Sequence, residues 1–304
     1  MKIFITGISG FIGSNLAKYF KNTNYKILGI SRQKINFPNI QILQGDLNDL
    51  SSIKKKIIEF QPDTIVHLAW QDIPDYSKQK SELNLDLSIK LFNFLFEKTK
   101  CKKIIVTGSC WEYGKKYGIC RENDNLNISS HFTRAKFSLY QYLKNRCEKL
   151  NIDLFWFRLF FVFGEGQKQT SLIPHCYNSI RNNKKLIINK PENSNDFIHI
   201  DDVVKILLLA IEKNFSSGIY NVGSGFSTSV KEIISVIESK ITGMNKLSSE
   251  IKNMRNDKKD NIENFWCDNT KLLKNFCFIF EKNLEQKIIQ YIDFLKTNLQ
   301  QDAP

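Results

Sequence analysis

The stretch FITGISGFIGSNLAKYF, residues 4–20, decides the fold of this chain. It joins an apolar run to a helical pattern of apolar residues through three glycines, Gly7, Gly10 and Gly13. Glycines at this spacing permit a tight turn, a close approach of the backbone to a pyrophosphate and close packing of the helix on the strand. The helix N-terminus adds N–H donors and a positive dipole. The stretch therefore predicts a strand, a turn and a helix that together bind a dinucleotide.

Strands and helices alternate along the chain beyond this turn. Further apolar runs lie at 25–31, 40–46, 64–70, 103–109 and 153–164, and helical patterns at 50–60, 81–100 and 133–150 separate most of them. Such alternation predicts an α/β fold, a Rossmann-type doubly wound parallel sheet covered by helices on both faces. We expect the dinucleotide-binding domain to span 1–164, with returns of the chain around 196–222. A smaller, mainly substrate-binding region is expected at 165–304.

Composition restricts the class of protein. The chain has 304 residues and a formal net charge of +13, which suits an anionic partner. Its lysines do not form a basic stripe interleaved with aromatic residues, so we expect no nucleic-acid partner. No apolar run approaches the roughly 20 residues that span a bilayer, and no signal peptide is recognisable, which predicts a cytoplasmic protein without a membrane partner. The seven cysteines stand singly, which predicts free thiols and no metal site.

Further motifs follow the glycine turn at fixed places. They are GDL (45–47), HLA (67–69), Asn84, TGSCWEYG (107–114), RLFFVFG (158–164), DFIHIDDVV (196–204), YNVGSG (220–225) and CDNTKLL (267–273). With the turn, they resemble the extended short-chain dehydrogenase/reductase family, nucleotide-sugar branch, over residues 1 to about 295. The resemblance implies that the cofactor contacts Gly7, Gly10, Phe11, Ile12, Gly13, Ser31, Arg32, Asp46, Leu47, Leu68, Ala69 and Lys136.

The end of the second strand indicates which nicotinamide cofactor binds. An acidic residue there hydrogen-bonds the ribose hydroxyls of NAD and would repel the 2′-phosphate of NADP. This chain has Ser31 and Arg32 instead, with Lys34 nearby. A guanidinium pairs with a phosphate in a forked geometry, so the sequence favours NADP(H). The competing interpretation is that Arg32 is a solvated loop residue in a basic protein.

The catalytic positions implied by the resemblance lack one hydroxyl group. In the family a serine hydrogen-bonds the reacting oxygen, a tyrosine phenol is the acid or base, and a lysine four residues later lowers the pKa of that phenol. Ser109 and Lys136 fill two positions, but Phe132 stands at that of the tyrosine. Two interpretations stay open. The chain is an inactivated Tyr-to-Phe form of low activity, or Phe132 is natural and the protein uses other chemistry or only binds.

Two residues near Phe132 in the sequence, Tyr140 and His131, carry a side chain that can exchange a proton. Tyr140 lies four residues before Lys144. It is eight residues from Phe132, which is about 12 Å along a helix, so we interpret it as a packing residue. His131 is interpreted as a loop or helix-cap residue, with a role as substitute acid as the alternative.

The residues after Ser109 separate the reactions of the branch. By resemblance, a dehydratase has an Asp-Glu pair directly after the serine, where this chain has Cys110 and Trp111, with Glu112 one place late. The epimerase-reductases that make GDP-fucose need a cysteine and a histidine where this chain has Trp111 and Leu172. The chain is most similar to NADPH-dependent reductases of 4-keto-6-deoxy nucleotide sugars, of the CDP-abequose synthase type, in polysaccharide biosynthesis. A nucleotide-sugar 4-epimerase and a non-catalytic cofactor-binding regulatory subunit are the alternatives.

The substrate side departs from the family pattern. Phe161 replaces an asparagine, and Asn195 replaces an arginine that contacts the nucleotide phosphate, so Arg255, Lys190 or Lys168 are expected to make that contact instead. The resemblance implies that the nucleotide-sugar substrate contacts Trp70, Ser109, Cys110, Trp111, Phe161, Asn195 and Arg255.

The resemblance also implies a homodimer. Helices around 82–99 and 133–150 of two protomers would pack as a four-helix bundle. Their apolar residues exceed what one sheet face needs, and among them are Leu91, Phe92, Leu95, Phe137 and Leu143.

Overall fold

In the computed structural model, the chain folds around one large parallel sheet. The structure describes residues 1–114, 117–244 and 262–301. The strands are β1 (Lys2–Thr6), β2 (Lys26–Ser31), β3 (Ile40–Gln44), β4 (Thr64–His67), β5 (Lys103–Ser109), β6 (Tyr117–Cys120), β7 (Asp153–Leu159), β8 (Phe161–Phe163), β9 (Ser194–Asn195), β10 (Phe197–His199), β11 (Gly218–Val222), β12 (Thr228–Ser229) and β13 (Asn264–Cys267). The helices are α1 (Phe11–Tyr19), α2 (Ser51–Phe60), α3 (Lys78–Lys98), α4 (His131–Leu150), α5 (Leu172–Arg181), α6 (Ile200–Glu212), α7 (Val230–Thr242), α8 (Thr270–Phe276) and α9 (Leu284–Gln301).

The large sheet has seven strands in the order β11-β7-β5-β4-β1-β2-β3. Every neighbouring pair is parallel. From β1 the chain first builds outward to β3 and then crosses back to β4, so the strand order reverses between β1 and β4. Ligands of such sheets bind in the crevice outside the carboxyl ends of the strands at this reversal. The predicted α/β fold with a doubly wound parallel sheet is confirmed.

The sheet is covered on both faces because its strands are apolar on both sides. Along β1, Ile3 and Ile5 pack in one core cluster with α1 and α6, whereas Phe4 packs in the other with α2, α3 and α4. This alternation follows from the two-residue period of a strand. The two clusters hold β1 and β4 rigidly and thereby fix the residues that follow them.

The region 153–164, predicted as one strand, divides into β7 and β8. Phe160 N donates to Val222 O (2.9 Å), and Phe161 N donates to Asp196 O (2.9 Å). The backbone partner thus changes from β11 to the segment before β10 within one residue, and β8 pairs with β10 outside the large sheet. A continuous apolar run does not reveal this change of partner. A further small sheet, β12-β9-β13-β6, joins Tyr117–Cys120 to strands from the C-terminal part of the chain, and its buried apolar residues pack with Phe160. Helices α5, α7 and α9 share a separate core.

The apolar residues cited for a dimer are largely used within one protomer. Leu91, Phe92, Leu95 and Leu143 are all fully buried in the core under α3 and α4, whereas Phe137 is partly exposed. The prediction that these four residues exceed what the sheet face needs is therefore wrong.

No described helix combines the length and hydropathy that crossing a bilayer requires. Within the same residues no cluster of His, Cys, Asp or Glu has the composition of a metal site.

Candidate functional site

The glycine turn forms a cradle at the carboxyl end of β1. Gly7 has a φ of +71°, and a Cβ there would lie 2.7 Å from Ala69 N in the segment after β4. A Cβ on Gly13 would lie 2.2 Å from Gly7 O, so this glycine lets α1 pack against the turn. Gly10 precedes α1, and no side chain caps the first amides of the helix. These free donors fit the pyrophosphate of a dinucleotide.

A cleft opens beside the turn, at the carboxyl ends of β1, β2 and β4. The predicted cofactor residues that line it are Gly7, Gly10, Ser31, Arg32, Asp46, Leu47, Leu68 and Ala69. Ser9, Ile30, Gly45, Trp70 and Gln71 complete the lining. Phe11 and Ile12 instead pack partly against the core beside α1, and Gly13 is buried under the turn. The structure thus brings most of the predicted cofactor residues into one cleft.

Opposite charges lie near one end of this cleft. Arg32 is exposed, while Ser31 is buried and holds the turn by accepting from Gln33 N (3.2 Å). Asp72 directly follows Gln71 of the lining. Lys80 Nζ lies 2.5 Å from Asp72 Oδ2 and holds the pKa of that carboxyl below its usual value, and Arg32 adds a smaller effect in the same direction. Two cations and one carboxylate therefore lie near this end of the cleft.

Lys136, another predicted cofactor residue, does not line the cleft; it is 5% exposed and contacts Trp70, which does. Its Nζ donates to Thr107 O (2.9 Å) and sits 3.9 Å from the centre of the Trp70 ring, a cation–π contact. Burial lowers the pKa of Lys136 to about 7, and the Glu112 carboxylate acts in the opposite direction. This amine therefore exchanges its proton near neutral pH.

Three aromatic rings contact Phe132, and we call Trp70, Tyr76, Trp111 and Phe132 the aromatic cluster. The Phe132 ring centre lies 4.9 Å from that of Tyr76, 5.7 Å from that of Trp70 and 6.1 Å from that of Trp111. Phe132 is 5% exposed, so these contacts leave its ring little freedom. Sequence reasoning missed Tyr76, because its loop has no periodic pattern and its contact with Phe132 spans 56 residues of sequence.

Ser109 is held by a buried charged network. Its N–H donates to Glu112 Oε1 (2.9 Å), and its Oγ accepts from Trp111 N (3.2 Å). Glu112 is fully buried and pairs with Arg158 Nε (2.9 Å). Sequence reasoning considered Glu112 only as a displaced dehydratase acid. Its ion pair with Arg158 instead fixes the end of β5 and the turn that carries Trp111.

The predicted substrate residues occupy different environments. Burial raises the pKa of the Cys110 thiol well above its usual value, so Cys110 is a neutral, buried residue. Trp111 is 39% exposed. Phe161 packs on Phe197 and Phe265. Asn195 is buried, and its Oδ1 has no hydrogen-bond partner among the described residues.

The basic substrate candidates do not converge on one point. Lys190 is exposed, and Lys168 Nζ donates to Ile73 O. Arg255 lies outside the described residues. The family arginine therefore has no replacement that the described geometry identifies.

The two alternative acids lie outside the aromatic cluster. His131 is exposed at the start of α4, with its Nδ1 3.3 Å from Arg134 Nη2. The Tyr140 ring centre lies 5.4 Å from that of Trp156, on the sheet side of α4. Neither ring forms an aromatic contact with Phe132 in the described structure.

Comparisons with known proteins agree with this geometry. The family model described as the NAD dependent epimerase/dehydratase family matches residues 3–223. CDP-abequose synthase of Salmonella muenchen is 28% identical over 267 residues, covering 84% of this chain and 86% of that protein. dTDP-4-dehydro-6-deoxyglucose reductase of Escherichia coli is 26% identical over 259 residues, covering 79% of this chain and 81% of that protein.

Two solved structures share the fold. UDP-glucose 4-epimerase of Thermotoga maritima, solved with UDP-glucose, has a TM-score of 0.85 at 21% identity, covering 98% of this chain and 100% of that one. UDP-glucuronic acid 4-epimerase from Bacillus cereus, solved with NAD, has a TM-score of 0.80 at 23% identity, covering 100% of this chain and 99% of that one. At these identities the likeness concerns the fold.

Proposed function

Since this chain belongs to the NAD dependent epimerase/dehydratase family, we propose that it is an NADPH-dependent reductase of a 4-keto nucleotide sugar. The membership agrees with the family predicted from the motifs, and the named relatives make it a nucleotide-sugar-modifying enzyme. One observation supports the choice of a reductase: Ser31, the last residue of β2, and Arg32, which follows it, both line the cleft. A one-way reductase takes fresh hydride from NADPH, whereas a 4-epimerase keeps NAD through both half-reactions.

The residues present fit a dinucleotide. The amides at the start of α1 face the place of the pyrophosphate, and Arg32 lies where a 2′-phosphate would gain a charge-assisted pair. In this proposal Lys136 would hold the nicotinamide ribose, and Ser109 would present its hydroxyl to the reacting oxygen. When bound, the reduced cofactor supplies a hydride to the keto carbon. Trp70 and Trp111 form the wall against which the sugar packs.

We further propose that the chain as written turns over slowly. A positioned general acid contributes about 10²- to 10⁴-fold to a rate. Phe132 keeps the packing that a tyrosine ring would make but has no proton to donate. Binding and catalysis should therefore separate in this protein.

A 4-epimerase is the second candidate, and one observation favours it. The Asp72 carboxylate directly follows Gln71 of the cleft lining and interacts electrostatically with Arg32. An acid near the adenosine ribose suits NAD. The two candidates thus predict opposite cofactor preferences.

Calorimetric titration with NADPH and NADH separates the candidates. The reductase proposal expects tighter binding of NADPH. Equal affinity, or a preference for NADH, would contradict it and favour the epimerase.

Oxidation of NADPH is then followed for the Phe132→Tyr protein over a panel of CDP-, dTDP-, GDP- and UDP-linked 4-keto-6-deoxy sugars. Tight cofactor binding with no turnover of any sugar would favour a regulatory subunit.

We also propose a homodimer through α3 and α4. The buried residues of these helices cannot serve a partner, but partly exposed ones remain on them: Leu85, Ile89, Phe96, Phe137 and Tyr142. Light scattering should report a dimer at micromolar concentration, and a monomer would contradict the proposal.

A further inference from the structure

The aromatic cluster contains one hydroxyl group, that of Tyr76. Its ring centre lies 4.9 Å from that of Phe132 and 5.0 Å from that of Trp111, at interplanar angles of 57° and 65°. The side chain is partly exposed, and in the described part of the chain its hydroxyl makes no hydrogen bond. The Tyr76 hydroxyl is thus a proton donor without a hydrogen-bond partner, on a ring in contact with Phe132, which has no hydroxyl.

The start of the loop that carries Tyr76 is tied to α3. Gln71 N donates to Asn84 Oδ1 (2.6 Å), and Asn84 Nδ2 donates back to Gln71 O (3.2 Å). Asp72 pairs with Lys80 in the first turn of α3. The ring of Tyr76 packs against both Trp111 and Phe132, so its position is set by the fold as well as by the loop.

We infer that Tyr76 is a catalytic residue, which donates to the reacting oxygen the proton that Phe132 cannot supply. The inference rests on the proposed ketoreductase function. The C4 carbon gains a hydride from NADPH, and the π pair of the C=O bond moves to oxygen. That oxygen takes the proton of the Tyr76 hydroxyl, and water restores the proton to the partly exposed phenolate.

The surroundings of Tyr76 explain why this route is slow. Partial burial raises the pKa of its phenol and the Cys110 thiol adds to this effect, whereas the Lys136 ammonium packs on the Trp70 ring. A phenol without a nearby cation loses its proton reluctantly near neutral pH. Tyr76 is therefore a weaker acid than a tyrosine at position 132 would be beside Lys136.

A double-mutant cycle tests the inference. NADPH oxidation is measured for the unchanged protein, Tyr76→Phe, Phe132→Tyr and the double variant, with the best sugar of the panel. Tyr76→Phe should lower kcat by about 10²-fold or more in the Phe132 background. In the Phe132→Tyr background the same change should cost less than about threefold, because the new phenol takes over. A purely structural role would give equal losses in both backgrounds and would overturn the inference.

A matched control and a binding measurement complete the test. Tyr140→Phe removes a hydroxyl from the same region without touching the aromatic cluster, and kcat should stay within about twofold. Calorimetry with CDP-, dTDP-, GDP- and UDP-glucose should show that Tyr76→Phe leaves nucleotide-sugar affinity within about threefold. A parallel loss of affinity and rate would make Tyr76 a binding residue and overturn the inference.

If Phe132→Tyr reduces no sugar, the proposed function itself fails. If that variant is active while Tyr76→Phe changes nothing, only the inference fails.

Discussion

The dinucleotide cleft and the aromatic cluster are adjacent but are built differently. The cleft is made of backbone, glycines and small side chains at the ends of β1, β2 and β4, and its shape leaves room for a ligand. The aromatic cluster is made of large rings that fill the position where a catalytic phenol is expected. The cleft therefore agrees with the family pattern, whereas the aromatic cluster departs from it at Phe132, where the resemblance implies a tyrosine.

The buried ion pair between Glu112 and Arg158, which holds Ser109, should have the largest effect, on the free energy of unfolding. Glu112→Gln leaves Arg158 buried without its counter-charge, and breaking a buried pair in this way costs about 3–5 kcal/mol. Urea denaturation should show this loss in the free energy of unfolding. Glu148→Gln, on the exposed end of α4, is the control and should change it by less than about 0.5 kcal/mol. Equal stability of the two variants would show that the pair does not hold the reaction site.

The rim of the cleft gives the next largest effect. Arg32→Ala should weaken NADPH binding by about 10- to 100-fold, because a hydrogen bond to a charged group contributes about 1.5–3 kcal/mol. NADH binding should not change, since it has no 2′-phosphate. Lys55→Ala, on the exposed face of α2, removes the same charge elsewhere and should affect neither. Equal weakening of both cofactors by Arg32→Ala would place the guanidinium at the pyrophosphate.

Lys136 gives a smaller effect that depends on pH. Its folded pKa of about 7 lies below the usual lysine value, so from about pH 7 upward the unfolded chain binds one more proton than the native protein. Stability should therefore rise with pH, by at most about 1.4 kcal/mol per unit between pH 7 and 8.5. Lys136→Met should remove this slope in denaturation curves of the protein without cofactor. The same slope in both proteins would contradict a buried, weakly basic Lys136.

Local spacing made the cleft predictable. Gly7, Gly10 and Gly13 belong to one turn, and their required conformations and close approaches follow from three neighbouring elements of the chain. The parallel sheet was predictable for a similar reason, since strands that are apolar on both faces alternate with amphipathic helices. Arg32 could be placed at the cleft because it directly follows a predicted strand.

The rest of the site depends on contacts between distant segments. Tyr76 meets Phe132 only because the loop after β4 folds back against α4, and no pattern in residues 70–77 indicates that. The pairing of Glu112 with Arg158 joins β5 to β7 in the same way. The division of 153–164 into β7 and β8 is likewise set by hydrogen-bond partners in β11 and before β10.

Restoring the phenol tests whether the missing hydroxyl at position 132 limits the rate of this protein. Phe132→Tyr should raise the rate of NADPH oxidation with a 4-keto nucleotide sugar by about 10²- to 10⁴-fold, while the affinities for NADPH and for the nucleotide sugar stay within about threefold. The reason is that the ring packing is kept, and Ser109 and Lys136 occupy the catalytic positions that the resemblance implies. If the unchanged protein already turns over as fast as the variant, the hydroxyl at position 132 is not what limits this enzyme, and the account is contradicted.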